Sequence, residues 1–319
     1  MLPVTVDLVV NRKARRLGED SPRSLRARLV AAAEQGGARV HETRSLEELD
    51  RVAREIADRG TDAVVLAGGD GSHMGGVSAL ARACGGRLPR VAFAPGGTVS
   101  TVARNLAGAS TSASWGERLL RAVCEGTARA RDVPSLHVRD DAGGDRVGFI
   151  FGAGLVAHFF DEYDAAPSQG IGPAARLAGR VLLGSLVGAP LARRVLAPVA
   201  CGLEVDGDEQ PSRAWSLVLA SVVRDVGLGV RATYRAGESF DRFHVVASTR
   251  SPRGLATQVP RVLSGRPMRS AGHTAVDAMA RTLRVHFEEQ NASYVLDGDA
   301  LRAQDVRVEP GPIVPLLCF

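Results

Sequence analysis

The sequence predicts an N-terminal α/β domain built on a doubly wound parallel sheet, followed by a mainly antiparallel β-sandwich domain. Three observations carry this. Strand-like and helix-like segments alternate as far as about residue 131, the rhythm of a parallel sheet with right-handed crossovers. The run Ala63-Val64-Val65-Leu66-Ala67 is continuously apolar and enters a glycine-rich turn, as a strand covered on both faces does. Beyond Arg131-Asp132-Val133-Pro134 the segments shorten, alternate in polarity and are separated by turn residues, which is the antiparallel pattern.

In chain order, Val4 to Val10 reads as the first strand, ending at Asn11-Arg12-Lys13. Ser24 to Gln35 has helical apolar spacing, and Gly36-Gly37 stops it. Arg39 to Thr43 is a second strand, and Ser45-Leu46-Glu47-Glu48 opens a helix with a capping box. After the Ala63 run a helix is expected from Met74 to Ala83, then a strand from Val91 to Ala94 and the loop Pro95-Gly96-Gly97-Thr98 before another helix. In the second half Leu203 to Val205, Trp215 to Val223, Phe243 to Ala247, Leu283 to Phe287, Ser293 to Leu296 and Val306 to Val308 read as strands. The domains are accordingly 1–131 and 132–319, with the final residues open to packing back on the first domain. Residues 172–196 interrupt the strands with apolar, arginine-dotted helical sequence, in which Gly179, Gly184, Gly188 and Pro190 argue against one long helix.

The chain's 319 residues are 45% hydrophobic and 24% charged, enough apolar matter to bury a core and too much for disorder. No apolar stretch reaches the roughly 18 residues of a membrane span, and the first residues lack the pattern of a signal peptide. Cys84, Cys124, Cys201 and Cys318 are scattered without a C-x-x-C pair. That spacing excludes a zinc or disulfide framework and fits a reducing, cytoplasmic setting. The net charge of +5 favours anionic partners such as phosphates or acidic lipid surfaces; no nucleic-acid partner is expected, and the oligomeric state is left open.

The chemistry concentrates in Gly68-Gly69-Asp70-Gly71-Ser72, at the C-terminal end of a parallel strand, where open α/β sheets bind ligands. Glycines allow backbone N–H groups to approach phosphate oxygens, and the helix N-terminus adds partial positive charge. A carboxylate would repel phosphate, so Asp70 makes sense through Mg²⁺ or a substrate hydroxyl; the bland alternative is a tight turn with Asp70 as helix cap. The loop Pro95-Gly96-Gly97-Thr98 ends the next strand, while Asn11 and Thr43 end the first two. Four polar strand ends on one sheet edge point to a nucleotide site.

These motifs, in this order and spacing, resemble the diacylglycerol kinase catalytic domain superfamily, which includes soluble bacterial diacylglycerol kinases, YegS-like lipid kinases, sphingosine kinases and ceramide kinases. The family's GGDGT appears as Gly68 to Ser72, its P-x-G-T as Pro95 to Thr98, and its A-R-x-L as Ala103-Arg104-Asn105-Leu106. The early Asn-Pro motif appears as Asn11-Arg12-Lys13, the glycine-rich middle segment as Phe151-Gly152-Ala153-Gly154, and the late D-G-E as Asp297-Gly298-Asp299. The resemblance implies an ATP- and Mg²⁺-dependent kinase acting on a hydroxyl of a neutral, diacylglycerol- or ceramide-like lipid. It implies Asp70 and Asp299 as catalytic carboxylates. It implies nucleotide contacts from Asn11, Arg12, Lys13, Thr43, Gly68, Gly69, Gly71, Ser72, Gly97, Thr98, Asp297 and Gly298. No metal ligands are assigned. Read without the resemblance, Asp297-Gly298 is a hairpin turn.

Departures from the family pattern are Ser100 for asparagine, Met74-Gly75 for Asn-Glu, and Asp299 for glutamate. They leave a nucleotide- or lipid-binding regulator without turnover as the alternative; an NAD kinase fits the P-x-G-T and D-G-D segments poorly. His73, directly after the loop, is expected in solvent on the first turn of its helix. In residues 172–196, Leu177, Val181, Leu182, Leu186, Leu191 and Leu196 are read as an apolar surface interleaved with Arg176, Arg180, Arg193 and Arg194. Such a segment would bring the protein to the inner face of an anionic membrane; the alternative is a helical pair packed on the β domain with its arginines in water.

Overall fold

The structure is a computed structural model that describes residues 4–97, 100–168, 170–269 and 275–319. The first ten elements are β1 (Val6–Asn11), α1 (Leu25–Gln35), β2 (Arg39–Thr43), α2 (Leu46–Arg59), β3 (Ala63–Gly68), α3 (Asp70–Ala83), β4 (Arg90–Pro95), α4 (Thr101–Ala107), α5 (Ala113–Cys124) and β5 (Arg129–Val133). Then come β6 (Leu136–Asp140), β7 (Asp145–Gly148), β8 (Ile150–Gly154), α6 (Leu155–Asp164), α7 (Ile171–Val187), α8 (Pro190–Val195), β9 (Val199–Val205), β10 (Asp208–Glu209), β11 (Ala214–Trp215), β12 (Leu217–Ser221) and β13 (Phe243–Ser248). The rest are α9 (Pro252–Ala256), α10 (Val259–Leu263), β14 (Ala275–Ala280), β15 (Leu283–Phe287), β16 (Ala292–Leu296), β17 (Asp299–Ala303), β18 (Asp305–Pro310) and β19 (Val314–Cys318).

These residues form two compact units, one from 1–135 with 312–319 and one from 136–311. In the first, the sheet order is β2-β1-β3-β4-β19-β5. Neighbours from β2 to β19 run parallel, and β5 alone is antiparallel, against β19. The inner strands are apolar on both faces because helices cover both: Leu8, Val64, Val65 and Phe93 are fully buried. α2 starts at Ser45, whose Oγ accepts the Glu48 N–H at 3.2 Å, while the Glu48 carboxylate takes Arg44 N rather than the Ser45 N–H. α3 begins at Asp70, a full turn earlier than its apolar pattern suggests, so the Gly-Asp-Gly-Ser residues are themselves helical.

In the second unit two antiparallel sheets run β10-β9-β15-β18-β6-β7, with β11 on β9, and β14-β13-β12-β8-β16-β17. The stretch Trp215 to Val223 is therefore split: Trp215 pairs in one sheet and Leu217 to Ser221 in the other. Tyr294 of β16 donates to Asp140 of β6 at 2.6 Å, and Arg146 of β7 donates to the same carboxylate at 2.7 Å, joining the sheets.

α7 runs for 17 residues despite its glycines. Gly184 is needed for close packing: a Cβ there would stand 3.1 Å from the Ala189 Cβ and 3.3 Å from that of Ala192. Gly188, at φ 71°, ends the helix in the left-handed conformation, and Pro190 opens α8. Val181 and Leu196 are buried with Val195 and Leu255, and Leu177 and Leu191 pack on them. Those four side chains belong to the core rather than to an outer apolar surface.

One buried carboxylate fastens the edge of the parallel sheet. Asp7 lies beside His41 Nε2 (2.7 Å) and accepts from Arg59 (2.7 Å) and Thr61 Oγ1 (2.6 Å). Burial alone would raise its pKa, but these partners overcome that and set it at about 2. A depressed carboxyl pKa stabilises fully above the unfolded value near 3.8 and loses that contribution as pH falls towards 2. Urea unfolding from pH 5 to pH 2 is expected to show the wild type losing about 2 kcal/mol that Asp7→Asn does not lose. Parallel pH profiles for the two proteins would remove Asp7 from the account.

Candidate active site

β1, β3 and β4 are adjacent and parallel, so the loops after Asn11, Gly68 and Pro95 leave one edge of the first unit's sheet. They are tied to one another. Asn11 Nδ2 donates to Ser72 Oγ at 2.7 Å, and that oxygen also accepts Gly69 N at 3.3 Å. The Gly68 carbonyl accepts from Gly96 N (2.7 Å) and Gly97 N (3.2 Å), and Arg16 N donates to the Gly96 carbonyl at 3.3 Å. The glycines are required by contact. A Cβ on Gly97 would lie 2.5 Å from Gly69 Cα, and one on Gly68 would lie 2.2 Å from Ser72 Cβ.

Asp70 does not cap its own helix; Gly69 is the N-cap of α3. Its carboxylate reaches the second loop, accepting Thr101 N at 2.7 Å and Val102 N at 3.0 Å at the start of α4. The first α-helical bond of α3 is His73 N to Gly69 O, at 2.9 Å. The amides of Gly71 and Ser72 precede it, which is the usual arrangement of an anion-binding helix start. Ser100 is the residue that motif spacing undervalued. It is buried, left-handed at φ 52° and ψ 50°, and its hydroxyl has no hydrogen-bond partner among the described residues. Asparagine, the family's residue here, tolerates that conformation better than serine. Thr98 lies outside the described residues.

The remaining first-unit candidates sit around these loops in different roles. Thr43 is buried, its hydroxyl 3.5 Å from the Val10 carbonyl, and its own carbonyl accepts Arg12 N at 2.9 Å. The Arg12 guanidinium is engaged by Glu42 (2.9 Å) and Asp20 (2.7 Å), a pair shared with Arg26. Lys13 is exposed, and its backbone N–H donates to Asn11 Oδ1 at 2.8 Å, fixing that side chain's orientation. His73 is not in solvent. It is completely buried, stacked on Phe93 at 4.6 Å, and desolvation lowers its pKa to about 4, so it is neutral. Met74 is also buried, so core packing replaces the family's polar pair at that point.

In the second unit Asp297 and Gly298 form the two-residue turn between β16 and β17, with Leu296 paired to Asp299. Both have positive φ, 50° and 92°, as a type I′ hairpin requires. The Asp297 carboxylate is buried and accepts the N–H groups of Phe149 (3.0 Å) and Ile150 (2.8 Å), which fixes the turn to the strand beside it. Asp299 follows at the start of β17 with its surface open to water. Partial desolvation, and then the charge of Asp164, raise its pKa, against the pull of Arg146. Asp164, at the end of α6, is raised in turn by desolvation and by Asp161. It carries no motif, and only the fold brings it into electrostatic range of Asp299.

Among the described residues no group of three or more His, Cys, Asp or Glu is assembled that could hold a metal ion. A carboxylate beside a glycine-rich helix start would suit Mg²⁺ where phosphates are bound, since that ion binds through one or two carboxylates together with substrate phosphates.

The contact between the glycine loops makes a specific prediction. Gly97→Ala is expected to lose at least about 2 kcal/mol by forcing backbones apart. Gly69→Ala, whose Cβ would sit at 3.4 Å from Gly97 Cα, is expected to lose less. Chemical denaturation of the two variants reads the difference, and equal losses would refute the packing argument.

Residues 5–136 match the diacylglycerol kinase catalytic domain family. No curated protein matches the chain. Solved structures from Bacillus anthracis str. Sterne share the fold. A diacylglycerol kinase aligns over 98% of this chain and 95% of its own, with TM-score 0.62 and 14% identity. Two further structures, for which that activity is proposed, align over 97% of this chain and 94% and 95% of theirs, with TM-scores of 0.67 and 0.68 and identities of 16% and 17%. The resemblance read from the motifs is thus matched by a family model over residues 5–136, and the fold is shared with these structures.

Proposed function

We propose that the protein is an ATP-dependent lipid kinase that phosphorylates a hydroxyl of a neutral lipid. The observation that carries this reading is the mutual bonding of the loops at Asn11, Gly68 to Ser72 and Gly96-Gly97. Their backbone N–H groups and the α3 N-terminus suit the phosphates of a nucleoside triphosphate. Lys13 adds a positive charge, and Arg12 serves by holding its strand end in place through Glu42 and Asp20. Mg²⁺, when bound, neutralises charge on the phosphates. Asp70 keeps the second loop in register through the α4 amides. Asp299, with its raised pKa, is a better proton acceptor for a lipid hydroxyl than an ordinary aspartate. Asp297 serves by fixing the turn that presents it, and Ser100 has a hydroxyl available for a ligand oxygen. The reading places the protein at the inner face of the membrane. Among the described residues no helix is long and apolar enough to cross one.

A regulator without turnover is the second reading, favoured by Met74 and Gly75, where the family carries a polar pair. Incubation with labelled ATP, Mg²⁺ and a panel of diacylglycerol, monoacylglycerol, ceramide and sphingosine separates the two. A phosphorylated neutral lipid is the expected product; ATP binding with no product from any of them favours the regulator. Asp299→Asn is expected to lower kcat by at least about 10²-fold, the scale of losing a positioned base, and Asp70→Asn by a similar factor through misplacement of the second loop. Near-normal turnover in Asp299→Asn would leave only its hairpin role.

A further inference from the structure

The outer face of α7 departs from the pattern of an ordinary surface helix. Its inner stripe, Ala174, Leu177, Val181 and Ser185, is buried or packed on the core. The outer stripe, Arg176, Arg180, Leu183 and Val187, has spacings of four, three and four, which align side chains along one helix face. Leu183, Leu186 and Val187 are 68%, 53% and 78% exposed. A globular protein ordinarily places charged or polar residues there, and large apolar residues clustered at a helix end signify an interaction surface.

The two segments that border this face carry charge of one sign. Residues 165–203 contain four arginines and no aspartate or glutamate. Residues 242–276, distant in sequence, contain six arginines and again no acid. The fold joins these two stretches: α9 packs against α7, with Leu255 buried beside Val181. Arg176, Arg180, Arg193 and Arg253 are exposed. Arg194 pairs with Glu162 of α6 at 2.9 Å, so it contributes less. An exposed aliphatic cluster bordered by arginines from two acid-free segments is complementary to a surface that is anionic outside and apolar beneath.

We infer that this face of the second unit docks on an anionic phospholipid bilayer, with Leu183, Leu186 and Val187 entering the headgroup layer and Arg176, Arg180 and Arg253 lying against lipid phosphates. The inference rests on the lipid-kinase reading for its purpose, because the substrate resides in that layer, but its physical basis is independent. The test is co-sedimentation of the full chain with phosphatidylcholine vesicles, with and without phosphatidylglycerol, at low and raised salt. Binding is expected to require phosphatidylglycerol and to weaken with salt. Arg176→Gln with Arg180→Gln is expected to reduce partitioning roughly tenfold to thirtyfold. Leu183→Ser with Leu186→Ser and Val187→Ser is expected to reduce it at least roughly tenfold with an unchanged thermal melt. Parent-like partitioning by either variant overturns the inference. So does a parent dimer that the serine variant dissociates without loss of vesicle binding, since the face is then a contact between copies of the chain. Phosphorylation of a dispersed short-chain diacylglycerol, measured on the same proteins, reports the kinase reading separately: a parent that binds vesicles and phosphorylates nothing loses that reading and keeps this one.

Discussion

Two glycine loops touch backbone to backbone, and the candidate site depends on that contact. The Gly68 carbonyl receives both Gly96 and Gly97 N–H groups, and Gly97 comes so close to Gly69 that no side chain fits. This crossing places the start of α3 beside the start of α4, within reach of one short carboxylate, Asp70. Asparagine and serine side chains then complete the join, Asn11 to Ser72. A nucleotide-phosphate site assembled from amides and short polar groups needs such rigidity, because its donors have little reach and must already be in place.

The parallel sheet was legible in the sequence because its inner strands are buried on both faces, leaving apolar runs that need little context. The Ala63 run and its glycine turn are the clearest case. The glycine loops' spacing was legible too, since Gly68 and Gly97 each answer a contact that a side chain would break. The fate of Asp70 was not: capping its own helix or reaching another is decided by where the second loop lies. His73 was misread for a similar reason. A histidine on a helix's first turn is usually wet, but here the ring slides under the loop and stacks on Phe93 of the neighbouring strand.

The second unit was less legible because its strands pair over long separations and its edges are polar. β17, Asp-Ala-Leu-Arg-Ala, has little strand character alone and forms because the Asp297-Gly298 turn folds it back on β16. In the first unit, β19 was hard to read for the same reason: it contains Pro315 and pairs with strands far earlier in the chain. In α7 the glycines read as breakers, yet Gly184 is the residue that lets α8 approach. Of the two readings of Asp297-Gly298-Asp299, the hairpin is the one that is seen, and it leaves Asp299 exposed at a strand start.

The central claim is that the joined loops of the first unit receive the nucleotide's phosphates. Hydrogen–deuterium exchange with and without Mg-ATP tests it most directly, because it reports which amides become protected whether or not turnover occurs. The account predicts slower exchange in segments 11–18, 68–73 and 95–102 upon nucleotide addition. Nucleotide binding that leaves these three segments unchanged while protecting others would contradict it.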